Sequence, residues 1–201
     1  MLSLVFAAAA YWTVHIDYPA NRAEYERIDA EFNTTIRDFY TAHNMTAPAG
    51  WHIVTADGAY IGLRPRGSMT DVATPQLPPD LSKELQAKTA PISAATHAVL
   101  RGHHSELWHL QADLTTTETP KKYAVMRTDL VNPPRDDDYE KAMKDLVKEL
   151  GAKSVETIGF FSSYGDGAYH YIFSSDKPFK VRSLKGFGTT HDVAITSLDT
   201  R

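Results

Sequence analysis

The four-residue string Asp57-Gly58-Ala59-Tyr60 returns unchanged as Asp166-Gly167-Ala168-Tyr169, and no other feature of the chain limits its fold as strongly. Asp-Gly between two strand-like runs predicts a tight hairpin, because glycine accepts the positive φ that such turns require. A second identical turn predicts a duplicated module, and the flanking sequence agrees. Tyr11-Trp12-Thr13-Val14-His15-Ile16-Asp17 is matched by Tyr123-Ala124-Val125-Met126-Arg127-Thr128-Asp129, both alternating and rich in strand formers. Glu24-Tyr25-Glu26-Arg27 is matched in type by Asp138-Tyr139-Glu140-Lys141, and each opens an amphipathic helix. One helix carries Tyr25, Ile28, Phe32, Ile36 and Phe39 on a single stripe; the other carries Tyr139, Met143, Leu146, Val147 and Leu150, with Gly151 as its stop.

After the first hairpin, Pro75 to Asp80 reads as a loop, Leu81 to Arg101 as a helix interrupted near Pro91, and Glu106 to Leu114 as a strand. The first copy is thus β-α-β-β-α-β. The second repeats this order with a much reduced second helix around Pro178 to Leu184 and a last strand from His191 to Ser197. The organisation is an apolar segment at 1–10, a first module at 11–114, a Thr-rich linker with Pro120 at 115–122, and a second module at 123–201. A module of this order carries its helices on one sheet face and leaves the other bare. Two copies in one chain can close their bare faces on each other as a barrel.

These paired strings and this module order, which span nearly the whole chain, resemble the dimeric α+β barrel superfamily, including its antibiotic-biosynthesis-monooxygenase-like and NIPSNAP-like members, its haem-degrading enzymes and the chlorite-dismutase relatives. The resemblance implies an α+β fold of two tandem ferredoxin-like modules pairing as an intramolecular barrel. The pattern is also similar to a group of bacterial exported proteins. No single family's catalytic residues carry over, since module order is not the signature of one enzyme.

Charge and composition exclude several function classes. Lys+Arg 21 against Asp+Glu 25 gives −4, with no basic run that would track a nucleic-acid backbone. Cysteine is absent, so disulfides, thiolate metal sites and cysteine nucleophiles are excluded together. No run reaches the roughly 18 to 20 apolar residues of a membrane-spanning helix. Met1 to Ala10 is uncharged and apolar, with an Ala8-x-Ala10 pattern. It reads either as the tail of a secretory signal, implying a periplasmic or secreted protein, or as an apolar lead-in to the first strand of a cytoplasmic one.

Strand alternation predicts which side chains face the barrel. With Trp12, Val14 and Ile16 placed under the helices, Tyr11, Thr13, His15 and Asp17 fall on the barrel side, as do Tyr123, Arg127 and Asp129 in the second copy and His109 and Gln111 on the fourth strand. Tyr60, Gly62 and Arg64 form a further alternating set. A cavity between the sheets would then offer His15 as a general base, Asp17 as its orienter and Arg127 for negative charge, with Tyr11, Thr13, His109, Gln111, Tyr123 and Asp129 contacting the substrate. The duller reading of His15 and Asp17 is a hydrogen-bonded lining, and of Arg127 an ion pair with Asp17 or Asp129.

The expected function is therefore a small-molecule-binding barrel, with proton abstraction or oxygenation as its chemistry if it is an enzyme. Its rival is a non-catalytic exported interaction protein; an open polar cavity points to the first and a packed barrel to the second. Nine histidines raise a third reading, haem binding, with His109 or His170 as axial ligand. A small metal ion is not expected. His97 and His104, seven apart, would stand about 10 Å apart along one helix, too far for one ion. The sequence names no cofactor, no particular ligand and no oligomeric state.

Overall fold

The computed structural model describes residues 10–73, 76–115, 120–132, 136–163 and 167–200. The apolar segment at 1–9, linker residues 116–119 and Asp166 of the second turn lie outside them. The elements are β1 (Tyr11–Pro19), α1 (Arg22–Ala42), β2 (Trp51–Thr55), β3 (Tyr60–Arg66), α2 (Met69–Ala73), α3 (Pro79–Val99), β4 (Leu100–Leu110), β5 (Tyr123–Val131), α4 (Asp136–Ala152), β6 (Glu156–Ser163), β7 (Ala168–Ser175) and β8 (Gly188–Thr200). Eight antiparallel strands form a closed barrel in the order β1-β3-β2-β8-β5-β7-β6-β4. Each module contributes its four strands in the ferredoxin-like order fourth-first-third-second, and the modules join where β2 pairs β8 and β4 pairs β6.

Local chemistry accounts for the main elements. Asn21 caps α1 by accepting from the Glu24 backbone N–H at 3.2 Å. The first Asp-Gly turn puts Gly58 at φ 89°, and the Thr55 hydroxyl ties it by accepting from the Ala59 N–H at 3.0 Å and donating to Asp57 at 2.5 Å. Pro91 does not interrupt α3, contrary to expectation; the helix runs unbroken from Pro79 to Val99. Proline removes one backbone bond, and the packing of α3 along α1 holds the helix across the gap.

β4 starts at Leu100, earlier than expected, because it pairs with β1 along its whole length from Tyr11↔His109 to Pro19↔Leu100. His103 and His104 are consequently strand residues on opposite faces rather than a helix end. The reduced second helix expected around Pro178 to Leu184 is not there. Residues 176–187 run without helix, burying Leu184 and packing Phe179, Val181 and Phe187 beneath α4.

The facing of β1 is the reverse of the expected one. Trp12, Val14 and Ile16 point into the barrel, where they meet Trp51, Leu63, Trp108, Phe161 and Ile172 in one apolar core. Trp12 packs on Trp51 and Phe161 with ring centroids 5.5 and 5.7 Å apart, and Trp108 on Phe161 at 5.3 Å. A closed ring of eight strands has an interior just wide enough for side chains to fill, which makes it the driest place in the fold. Fully burying each such side chain contributes about 1.5–3 kcal/mol, so the larger apolar set of β1 goes inside. Tyr11, Thr13, His15 and Asp17 are left on the outer face.

Gly188 shows how tightly the ring closes. A Cβ there would lie 1.8 Å from the Leu130 carbonyl oxygen and 2.9 Å from its carbon, both backbone atoms of the paired strand β5. Gly188→Ala is expected to lower the urea midpoint by the equivalent of about 1–3 kcal/mol, as overpacking does. An unchanged midpoint would show that β5 and β8 can separate locally.

Candidate functional site

The duplication supplies an internal comparison, because each module has a layer between its outer sheet face and its helices. In the second module that layer is full. Tyr139, Met143, Leu146 and Leu150 of α4 pack on Tyr169, Tyr171 and Phe173 of β7, with Leu184 from the 176–187 segment beside them. Arg127 is wholly buried there. It donates to Asp192 at 2.6 and 2.7 Å and to the Arg182 and Val181 carbonyls at 2.8 Å each. Burial works against its charge, and the hydrogen bonds to Asp192 outweigh this and raise its pKa.

In the first module the described residues form a smaller apolar cluster of Tyr25, Val54 and Tyr60, with Val99 and Leu100 against it, and Ile28, Phe39, Tyr40 and Ile92 are also buried on its helices. Phe32 and Ile36, in the middle of the α1 stripe, stay half-buried. Gly62, at the centre of the outer face of β3, has nothing within 4 Å of where a Cβ would be. The space over Gly62, between the first sheet and helices α1 and α3, is therefore open, and the floor of this cleft is polar.

β1, β3 and β4 lie side by side, and their pairing builds that floor. His15 stands opposite Gly62 on one side and Ser105 on the other; Thr13 stands opposite Arg64, and Tyr11 opposite Arg66. The Ser105 hydroxyl lies 2.8 Å from His15 Nδ1, and the His15 ring is stacked on His103 with centroids 6.0 Å apart and planes 13° apart. Burial, then the nearby Arg64, then His103, lower the His15 pKa below its ordinary 6.5, against a smaller opposing pull from Asp17. The shift favours the neutral ring. The Ser105 hydroxyl and His15 Nδ1 share a hydrogen bond, and in the tautomer in which Nδ1 carries the proton, Nε2 is the basic atom.

Asp17 does not orient His15. One of its oxygens is 2.5 Å from His103 Nδ1, and the other accepts from the Tyr25 hydroxyl at 2.7 Å. The second module repeats the latter tie, with the Tyr139 hydroxyl donating to Asp129 at 2.6 Å and meeting the Tyr171 hydroxyl. Burial first, and then the aspartate in each case, raise both tyrosine pKa values well above the ordinary range. An Asp–Tyr tie that docks the first helix on its sheet in both halves is a structural device. In the first half it also holds His103 against His15.

The remaining expected residues divide between the two modules. Tyr11 packs on His109 at 5.2 Å, and Gln111 approaches His109 Nδ1 at 3.4 Å, both at the Tyr11 end of the cleft. Thr13 donates to the Arg64 carbonyl at 3.5 Å. Tyr123, Arg127 and Asp129 are on β5, four places from β1 in the eight-membered ring and so across the barrel from it. Equivalent positions in two modules that close on each other lie on opposite sides, so Arg127 cannot share a ligand with His15. Neither can Tyr123 or Asp129. Arg64, Arg66, His103 and Ser105 occupy the places in the cleft that those residues were expected to fill.

Inside the barrel the apolar core is broken by one polar group of residues. The Trp108 indole N–H donates to Glu106 Oε2 at 2.6 Å, His170 Nε2 lies 3.4 Å from the same oxygen, and His104 Nε2 lies 3.0 Å from Oε1. His170 is stacked on Trp108 with centroids 4.1 Å apart, and its Nδ1 is 3.1 Å from the Thr128 hydroxyl. The His170 contact, followed by the Trp108 hydrogen bond, brings the Glu106 carboxyl down to about 2. His170 is enclosed by these neighbours and does not present a ring nitrogen to a haem face. Among the described residues no group of histidines and carboxylates is arranged to hold a metal ion, and no helix is long and apolar enough to cross a membrane.

Solved structures share this architecture. A candidate monooxygenase from Lactobacillus acidophilus NCFM superposes with a TM-score of 0.56 at 11% identity, covering 96% of each chain. A candidate monooxygenase from Fusobacterium nucleatum gives 0.55 at 9% identity, over 96% of this chain and 94% of that one. An anthrone oxidase-like protein gives 0.56 at 9% identity, over 97% and 94%. At such low identity these likenesses show the fold alone, an α+β barrel of two tandem ferredoxin-like modules. No family model and no curated protein matches the sequence.

Proposed function

We propose that this α+β barrel chain binds a small molecule in the cleft between the first sheet and helices α1 and α3, and that His15 withdraws a proton from it. The observation carrying this reading is the open space over Gly62, flanked in the strand register by His15, which is hydrogen-bonded to Ser105, whereas the equivalent layer of the second module is filled by side chains. A histidine whose pKa is lowered below its ordinary value is available as a base for an acidic C–H or O–H. The packed barrel removes the inter-sheet cavity as the site. It favours the interaction-protein reading for the lumen only, because the cleft lies outside it.

The finer reading is oxygenation of an enolisable aromatic, in keeping with neighbours described as candidate monooxygenases and as anthrone oxidase-like. Loss of one methylene proton to His15 leaves a carbanion that adds O2. Loss of the second proton with O–O cleavage yields ketone and water, so the substrate supplies all the electrons. Anthrone is the probe, and oxygen uptake the readout. Uptake is expected to rise with pH along one limb whose midpoint is below 6.5, and His15→Ala should lower it by about 10²–10⁴. Uptake unchanged in His15→Ala would remove the base. No uptake by the wild-type protein would remove the oxygenation.

A further inference from the structure

The cleft floor holds two cations with no directly bonded anion among the described residues. Arg64 and Arg66 extend from alternate positions of β3 onto the same face as Gly62, facing Thr13 and Tyr11 of β1. Neither guanidinium has a hydrogen bond or an ion pair among the described residues. Among the described residues, Arg127 and Arg182 are treated differently. Arg127 has a carboxylate and two carbonyls, and even half-exposed Arg182 has Glu149 at 2.8 Å. The Arg66 Nε–H is buried without a partner. Burial, and next the charge of Arg66 itself, pull the Arg64 pKa below its ordinary value, and Asp29 and Tyr40 counter this only at a distance.

Two like charges side by side and partly shielded from water destabilise a fold. They persist where an incoming anion completes them, and a planar guanidinium matches a carboxylate through two parallel N–H donors. The space such an anion needs is the volume over Gly62, which any side chain there would occupy. His15 of β1 and His52 of β2 stand opposite Gly62 on either side of it, and the half-buried Phe32 and Ile36 of α1 supply apolar surface in the same layer.

We infer that Arg64 and Arg66 form an anion-binding subsite at Gly62, and that the ligand of the cleft is an apolar, ring-containing molecule bearing a carboxylate. This rests on the cleft being the binding site, and it adds the class of ligand to that reading. The geometry then orders the ligand: carboxylate on the arginines, apolar body toward α1, and the acidic proton toward His15.

The test uses 2-naphthoate and its neutral amide, 2-naphthamide, titrated by calorimetry into the whole chain, with thermal unfolding followed in parallel. The wild-type protein is expected to bind the carboxylate at least tenfold more tightly than the amide, and the preference should fall as salt is raised. Arg64→Met should erase the preference. It should also raise the melting temperature of the ligand-free protein, since an uncompensated buried charge is removed. Arg66→Met should do both to a smaller degree.

A melting temperature lowered by Arg64→Met would make the residue structural and overturn the subsite. So would equal affinity for the two probes, no binding of naphthoate, or a preference that survives both substitutions. His15→Ala separates this proposal from the previous one. It should keep the carboxylate preference, and if it also keeps turnover, the base is wrong while the anion subsite stands.

Discussion

Arg127→Met is expected to cost about 3–5 kcal/mol, the loss that follows when one partner of a buried hydrogen-bonded charge network is removed. Four donated hydrogen bonds disappear with the guanidinium. Two of them end on the Val181 and Arg182 carbonyls, which hold the 176–187 segment beneath α4. Asp192 is 37% exposed, so its freed carboxylate can turn to water, and most of the loss comes from undocking that segment and its buried Leu184. Against a typical domain stability of 5–15 kcal/mol, this is enough to shift the urea midpoint far down. The double variant Arg127→Met, Asp192→Leu should recover only part of it, because the carbonyls stay unpaired. A loss under about 1 kcal/mol in the single variant would mean that the segment is held by its apolar contacts alone.

The acid limb of stability should belong to Glu106. Its carboxyl is held at about 2, whereas the same group in an unfolded chain titrates near 4.5. A depressed carboxylate pKa stabilises the folded state above the unfolded value, and that stabilisation is lost as pH falls from about 4.5 through about 2. The difference corresponds to up to about 3 kcal/mol at neutral pH. Glu106→Gln keeps the shape and removes the charge. Urea unfolding should show it weaker than the wild-type protein at pH 7 and nearly equal to it at pH 2, with Trp108 fluorescence reporting on the barrel itself. Parallel stability curves from pH 7 to pH 2 would show that the carboxylate is not held by His170, Trp108 and His104.

The duplication and the closure of the two modules into one barrel were legible, because matched turns and matched helix stripes survive divergence. Which face of β1 goes inside was not. An alternating strand of Trp12, Val14 and Ile16 against His15 and Asp17 suits either side of a sheet that is covered on both. Volume decides the matter: a closed eight-stranded ring excludes water and takes the largest apolar set. His15 was identifiable as a candidate, but its working partners were not, since Ser105 and Gly62 become its neighbours only through strand register. Arg127 was misplaced for a geometric reason: repeat-equivalent positions in a closed pair lie across the axis from one another. His103 was hidden because the start of β4 is set by its partner β1 rather than by local propensity.

The filled layer of the second module also has a consequence for stoichiometry. Had the two halves been separate, identical chains, every barrel would have carried two equivalent chambers, and occupancy of one could have influenced the other. In this chain the 176–187 segment is a built-in stopper for one chamber. Ligand titrations should therefore follow a simple hyperbola with one equivalent per polypeptide, and any cooperativity would have to come from contacts between whole barrels.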